Sequence, residues 1–225
     1  MLMTSSPGIL DDDHYQLKIE LAEGSSLQLH TQSYQRLFNM KRSAAQLLEV
    51  NLGRGSSFCF LPHPSVPHAA SAFVAANKIY LTENCCLVFG EILTCGRKLN
   101  GEVFQFSKYH NITEIFFRDK LIIKENLLIE PASINMAAIG QLEGFTHQAS
   151  LIYLHPSADT KQLAGLVNEL LSGQKDITFG VTAAVTNGII VRILGHKAEQ
   201  LHGCLKAIAI LLPQQVTIKP ITHAA

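Results

Sequence analysis

The chain has 225 residues, enough to bury a sizeable core as one large domain or two small ones. Its 18 Lys and Arg balance 18 Asp and Glu, which argues against a nucleic-acid or acidic-membrane partner, since either calls for a basic surplus. Only 16% of residues are charged while 47% are hydrophobic. A soluble domain usually carries roughly 25% charged residues, so this surface has little to keep it soluble alone, and part of it is expected to be covered by another protein. The longest apolar run, residues 207–212 between Lys206 and Pro213, is far short of the about 20 residues a spanning helix needs. Residues 1–10 lack the basic start and apolar stretch of a secretory signal. Five cysteines, Cys59, Cys85, Cys86, Cys95 and Cys204, are odd in number and follow no disulfide or metal spacing. They read as reduced, buried thiols in a cytoplasmic protein.

Along the chain, YQLKIEL at 15–21 alternates apolar and polar residues, the period of a half-buried strand. Glu23, Gly24 and Ser25 then turn the chain and Leu27 and Leu29 resume the alternation, which predicts a hairpin. Further short strands are expected at 57–61, 78–81, 86–93, 103–106, 112–117 and 121–129, punctuated by Gly53, Gly55, Pro62, Pro64, Pro67 and the pair Asn100 and Gly101. Many short strands with no helical pattern between them indicate stacked antiparallel sheets. No internal repeat is visible. After Pro156 the pattern changes. Leu163, Leu166, Val167, Leu170 and Leu171 share a helical face, with Ser157 or Asp159 as N-cap and Gly173 as C-cap. Residues 177–185 and 188–194 flank Asn187 and Gly188, a two-residue hairpin signal. Leu201, Cys204, Leu205, Ile208 and Leu212 mark a second helix ended by Pro213. The expectation is a mainly β protein of one domain over 1–225, with a β-rich part at 1–155 and a helix, hairpin and helix closing it as a cap at 156–225.

Candidate chemistry is sparse. No Gly-x-Ser-x-Gly elbow and no catalytic-cysteine signature occur, and Cys85 and Cys86 on one strand point to opposite faces. Around Gly53, Arg54 and Gly55 no phosphate-loop continuation follows. The ten histidines include no zinc-like spacing. The nearest cluster is His63 and His68 within LPHPSVPH at 61–68, where prolines hold the segment extended and both imidazoles could face one solvent cavity. Carboxylates recur on strands at Asp13, Glu83, Glu91, Glu102, Glu125, Glu130 and Glu143. A charge inside a strand-rich core must be paired or hydrated. Two readings stand: an Arg97–Glu102 pair locking a turn, and a water-filled passage lined by carboxylates that carries a cation.

SSPGILDDD at 5–13, TQSY at 31–34, RLF at 36–38, LPHPSVP at 61–67, GEILTCGR at 90–97 and GEVF at 101–104 together resemble the motifs of the UreD/UreH urease accessory proteins. They run in family order over roughly residues 5–150, and the stretch at 96–102 is the most specific. The resemblance implies a cytoplasmic accessory protein that is not an enzyme. Such proteins assist nickel insertion, bound to the urease apoprotein with a UreF-type partner and, through it, a UreG-type GTPase. No tightly bound cofactor is implied, only transient Ni²⁺ moving through an internal tunnel. Carried over by motif, Asp13, Glu91, Arg97, Glu102 and Glu125 are the expected tunnel-lining residues. Scattered single carboxylates bind such an ion weakly at several points, whereas a closed Cys/His set holds it. The rival metal reading is a nickel-storing metallochaperone using His63, His68 and the cysteines, and a third is a β-rich interaction module unrelated to urease.

Two departures from the family pattern stand out. The resemblance implies some tens of residues before the Pro-Gly motif, which here begins almost at Met1, so a shortened or misassigned start is expected. The family's double glycine reads Pro7 and Gly8, followed by Asp11, Asp12 and Asp13. Losing a glycine changes the backbone angles open to that loop.

Overall fold

The structure, a computed structural model, describes residues 1–3 and 5–212. Five strands form one sheet in the order β1 (His14–Leu21), β4 (Ala44–Leu52), β7 (Ala72–Leu81), β9 (Lys108–Phe117) and β10 (Lys120–Ile129). A second, eight-stranded sheet runs β12 (Ile177–Ala183), β13 (Gly188–Gly195), β11 (His147–Leu154), β8 (Cys86–Leu93), β5 (Ser57–Phe60) and β2 (Ser26–Leu29). Beside this path β3 (Gln35–Leu37) pairs with β6 (Ser65–Pro67), and β6 with β8. The protein is mainly β with two helices, as expected, but its sheets are mixed rather than antiparallel. β1, β4, β7 and β9 are all parallel, as are β2, β5 and β8.

The parallel pairing has a simple cause. His14 lies opposite Ala45, Ala44 opposite Phe73, Ser26 opposite Ser57 and Ser57 opposite Cys86, so each partner is about 30 residues further on. One coil of chain visits each sheet in turn and returns beside its starting point, as in a β-helix. The coils carry no sequence repeat because only inward alternation and corner geometry need recur. Gly24, Gly55 and Asn84 adopt left-handed φ values of 67°, 66° and 59° at successive equivalent corners. Those corners stack: the Gly24 N–H donates to the Arg54 carbonyl at 2.9 Å, and the Gly55 N–H to that of Glu83 at 2.8 Å. The turn at Gly24 is therefore a corner between sheets and not the expected hairpin, since β1 pairs with β4 and β2 with β5.

Other differences have local reasons. Residues 103–106 form no strand, because Phe104 sits at φ 53° and its N–H donates to Cys95, sending Phe106 into the core. β4 and β11 escaped the sequence reading. In β4 the alternation is broken by adjacent Leu47 and Leu48, and β11 is apolar on both faces because it is covered on both. None of the five cysteines forms a disulfide, and all are buried.

In the C-terminal third, β12 and β13 pair antiparallel around Asn187 and Gly188, as read. Helix α1 (Thr160–Ser172) begins at Asp159, whose side chain accepts the Gln162 N–H at 2.9 Å, and ends at Gly173. It buries Leu163, Val167 and Leu171 and leaves Leu166 exposed. Helix α2 (Ala198–Leu211) buries Leu201, Cys204, Leu205 and Ile208. Pro213, the expected stop, lies outside the described residues. Both helices cover the outer face of the eight-stranded sheet, on Cys86, Val88, Ile92, Ala149, Leu151, Tyr153, Ile189, Val191 and Ile193. We expect Leu205→Ala, which opens a cavity at this contact, to cost about 2–5 kcal/mol. Asp159→Ala should cost about 1 kcal/mol, largely restored by Asp159→Asn. Denaturant unfolding of the variants checks both.

Candidate functional site

Between the two sheets the core is not continuous. One apolar cluster holds Val50, Ile79, Leu87, Phe89, Ile115 and Ile152, and another holds Ala44, Phe73, Ala75, Leu93, Phe106 and Tyr109. Along β7 the inward residues pass from Phe73 and Ala75 through Asn77 to Ile79, and along β9 from Tyr109 through Asn111 and Thr113 to Ile115. Along β8 they pass from Leu87 and Phe89 through Glu91 to Leu93. The breaks coincide. Strand register sets Asn77, Thr113 and Glu125 side by side on one sheet. On the facing sheet it sets Glu91, Ser150 and Arg192 side by side. A polar layer thus crosses the whole sandwich between two apolar clusters.

Glu91 is its centre. Its Oε1 accepts from Asn77 Nδ2 at 2.9 Å and Asn111 Nδ2 at 2.6 Å, and its Oε2 from Thr113 Oγ1 at 3.3 Å. Asn77 Nδ2 also donates to Asn111 Oδ1 at 3.1 Å and Thr113 Oγ1 at 2.9 Å. Burial pushes the Glu91 carboxyl above the usual carboxylate range, against the pull of the hydrogen bonds from Asn111, Thr113 and Asn77, with a further upward push from Glu125. At the far end of the layer Glu125 accepts from Arg192 Nη2 at 2.6 and 2.7 Å, tying β10 to β13 across the two sheets.

Two cavities meet at Glu91. A cavity of about 330 Å³ is bounded by Tyr34, Gln35, Gln46, His63, Asn77, Asn111 and the segment near Pro7 and Gly8, and Glu91 is the only Asp, Glu, Lys or Arg among its described lining residues. A second, of about 30 Å³, lies on the other side of Glu91 and reaches Glu125, Gln148 and Ser150. Gln46 accepts from Gln35 at 2.7 Å, which in turn accepts from Ser65 at 3.0 Å, so the wall of the larger cavity is itself hydrogen-bonded.

The structure brings together two of the five expected passage residues, Glu91 and Glu125. Asp13 lies outside both cavities, where its Oδ2 accepts the Leu10 N–H at 2.8 Å. Asp11 takes the Arg42 N–H at 2.9 Å and Asp12 pairs with the Arg42 guanidinium at 2.7 Å, so the aspartate run stitches its own loop. Arg97 and Glu102 form the expected pair, with Nε to Oε2 at 2.9 Å, partly exposed rather than buried. Glu102 also accepts the Ala69 N–H at 3.1 Å, and the Arg97 hydrogen bond holds its carboxyl below the usual range. The pair closes a tight turn in which Gly96 has φ 117°, and a Cβ there would come within 2.9 Å of the Glu102 and Pro67 carbonyl oxygens.

His63 and His68 do not share a cavity. His63 lines the large one, whereas His68 stacks edge-on to Phe38 in a surface cleft with Arg36 and Arg97. His63 instead lies 4.6 Å, between ring centroids, from His202 on α2. Among the described residues no three His, Cys, Asp or Glu side chains converge as a metal-holding group. Asn77, Asn111, Thr113, Arg192 and His202 were missed from sequence. The signal for the first three was a polar residue at the inward position of an otherwise apolar alternation.

Fold and cavities define a two-sheet β-helical protein with a carboxylate-floored internal cavity. A sequence model of the UreD urease accessory protein matches residues 1–223. Urease accessory protein UreD of Flavobacterium johnsoniae is 48% identical over 209 residues, covering 92% of this chain and 76% of the relative. The protein of the same name from Acetivibrio thermocellus is 34% identical, covering 94% and 81%, and that from Actinobacillus pleuropneumoniae serotype 3 is 33% identical, covering 97% and 83%. The chain belongs to the UreD family of urease accessory proteins. No helix among the described residues is long and apolar enough to cross a membrane.

The raised Glu91 carboxyl has a measurable consequence. Because its folded value lies above the ordinary carboxyl value of 4.5, the native state binds the proton more tightly, and wild-type stability falls as pH rises from about that value through the folded one. Glu91→Gln keeps an acceptor for the two asparagines and adds a donor for Thr113. The stability of Glu91→Gln relative to wild type should therefore rise with pH above the ordinary carboxyl value and then level off. Thermal unfolding at a series of pH values tests this; a flat difference would refute the buried-carboxylate assignment.

Proposed function

We propose that the chain is a cytoplasmic urease accessory protein that binds the urease apoprotein together with a UreF-type partner. A UreG-type GTPase reaches it through that partner, and the chain helps deliver nickel to the urease site. It does so without catalysis of its own and without a resident cofactor, Ni²⁺ being cargo. The observation that carries the reading is Glu91 standing between two cavities, with Glu125 beyond it. A single carboxylate in a neutral, amide-lined cavity attracts a divalent cation by charge yet supplies too few ligands to retain it. Its raised proton affinity lets proton and metal compete for one site, a further aid to release. The Arg192 guanidinium on Glu125 supplies opposing charge at the far end, so an arriving cation must displace that pair or leave beside it.

Glu91→Gln is the variant of choice, because it removes the charge while keeping the hydrogen bonds from both asparagines and reversing the one with Thr113. In cells carrying the urease structural genes, the other accessory genes and nickel, it should reduce urease activity to a small fraction of wild type, with the accessory complex still recovered intact. Glu125→Gln should reduce it less, since Arg192 already neutralises that carboxylate. Full activity in Glu91→Gln with an assembled complex would sink the passage, and full activity without the chain would sink the accessory role itself.

A further inference from the structure

Outside the polar layer, the short parallel pair β3 and β6 carries an unusual outer face. Strand alternation turns Gln35, Leu37 and Ser65 inward. Tyr34, Arg36, Phe38, Val66 and His68 turn the other way, around a surface cleft of about 320 Å³ that Arg97 completes. Register seats Arg36 opposite Val66, and the His68 N–H donates to the Leu37 carbonyl at 2.9 Å. Glu102 ties the third side in place: it accepts from Arg97 Nε at 2.9 Å and from the Ala69 N–H at 3.1 Å, so one carboxylate positions both Arg97 and the residue after His68. Two polar groups of this cleft lack a protein partner. Arg36 is exposed and forms no ion pair among the described residues. His68 is 6% exposed and its ring is set edge-on against Phe38, at 4.8 Å between centroids. No hydrogen bond reaches that ring among the described residues. A nearly buried ring donor with no protein partner takes one from the cleft it lines.

We infer that this cleft binds the carboxylate of an acidic peptide segment on a partner protein. Arg36 and the His68 ring N–H receive the carboxylate, while Tyr34, Phe38 and Val66 pack against an apolar side chain beside it. The charge count favours this class of ligand. Glu102 already neutralises Arg97, so among the cleft's described lining residues Arg36 is the uncompensated charge, which suits a monoanion. A guanidinium also matches both oxygens of a carboxylate. Burial and the Arg97 charge, with a smaller push from Arg36, lower the His68 imidazole below its ordinary 6.5, and Glu102 pulls the other way. The ring therefore offers an N–H without adding a second charge. Aromatic and aliphatic walls give nothing to a bare inorganic anion, whereas arginine among aromatic rings is the composition of protein–protein contact surfaces. With only 16% charged residues, the chain keeps this arginine where a partner's carboxylate is its natural complement. Arg36 and His68 line neither cavity beside Glu91, so the inference is independent of the nickel-delivery reading.

The test titrates the purified full chain with acetyl-Asp-Phe amide and with its uncharged match, acetyl-Asn-Phe amide, following the Arg36 Nε and His68 ring signals by nuclear magnetic resonance. The Asp peptide should bind in the millimolar range and about tenfold more tightly than the Asn peptide, the factor a charge-assisted hydrogen bond supplies. Arg36→Gln should remove most of that preference, while Arg54→Gln, exposed and outside the cleft, should keep it. Affinity of the wild type for the Asp peptide should rise as pH falls through the imidazole range, because the bound carboxylate favours the His68 cation. His68→Gln, which retains a donor, should lose that pH dependence. Equal affinity for the two peptides, or an unchanged preference in Arg36→Gln, would overturn the site whether or not His68→Gln folds. Inorganic phosphate that binds more tightly than the Asp peptide would overturn the peptide assignment in favour of a small-anion site.

Discussion

One buried carboxylate organises the inside of this protein. Glu91, half-buried between two cavities, is held by two asparagine amides and a threonine hydroxyl from strands of the opposite sheet. Burying a carboxylate is expensive unless its lone pairs are met, so β7, β8 and β9 must be in register for the sandwich to close. A one-residue slip in any of them turns its polar residues to the outer face and separates the carboxylate from its donors. The layer therefore contributes specificity of register more than net stability, and it separates two apolar clusters that would otherwise merge.

The same layer explains the cavities. Apolar side chains above and below interdigitate and exclude space, but short amides and a carboxylate tied to each other cannot fill the gap between sheets about 10 Å apart. Space remains at the level of the polar residues, on both sides of Glu91. A larger cavity opens where β3, β6 and the segment before β1 replace long strands with loops. At the other end the Glu125–Arg192 pair fastens the edges of the two sheets. Charge, space and register are thus consequences of one set of residues.

On the outer face the helices do different work. α1 supplies an apolar stripe and a side-chain cap, and little else. α2 lies over Gly90, where a Cβ would come within 2.6 Å of Leu61 and 3.1 Å of Leu205. The glycine lets the helix approach the strand that carries Glu91, and it brings His202 against His63 and Glu199 against the Tyr34 hydroxyl, which donates to it. The cap thus braces two residues of the cavity wall, Tyr34 and His63, and is not merely cover for the sheet.

Much of this was legible in the chain itself. Strands β1, β8 and β10, both helices, the Asp159 cap and the hairpin at Asn187 follow from local periodicity and turn chemistry, which act over a few residues. The family followed from short motifs in order, and the Arg97–Glu102 pair from a spacing of five residues. Partners about 30 residues apart were not legible, because a β-helix repeats its corners and inward alternation and not its residues. For the same reason the sequence singled out Glu91 and Glu125 but not what joins them. Asn77, Asn111, Thr113 and Arg192 are ordinary polar residues until parallel register lays them beside the carboxylates, and His202 is one histidine of a helix until that helix settles on Leu61. Residue type and alternation were fixed by the chain; the meeting of two sheets and a helix decided which polar residues share one buried space.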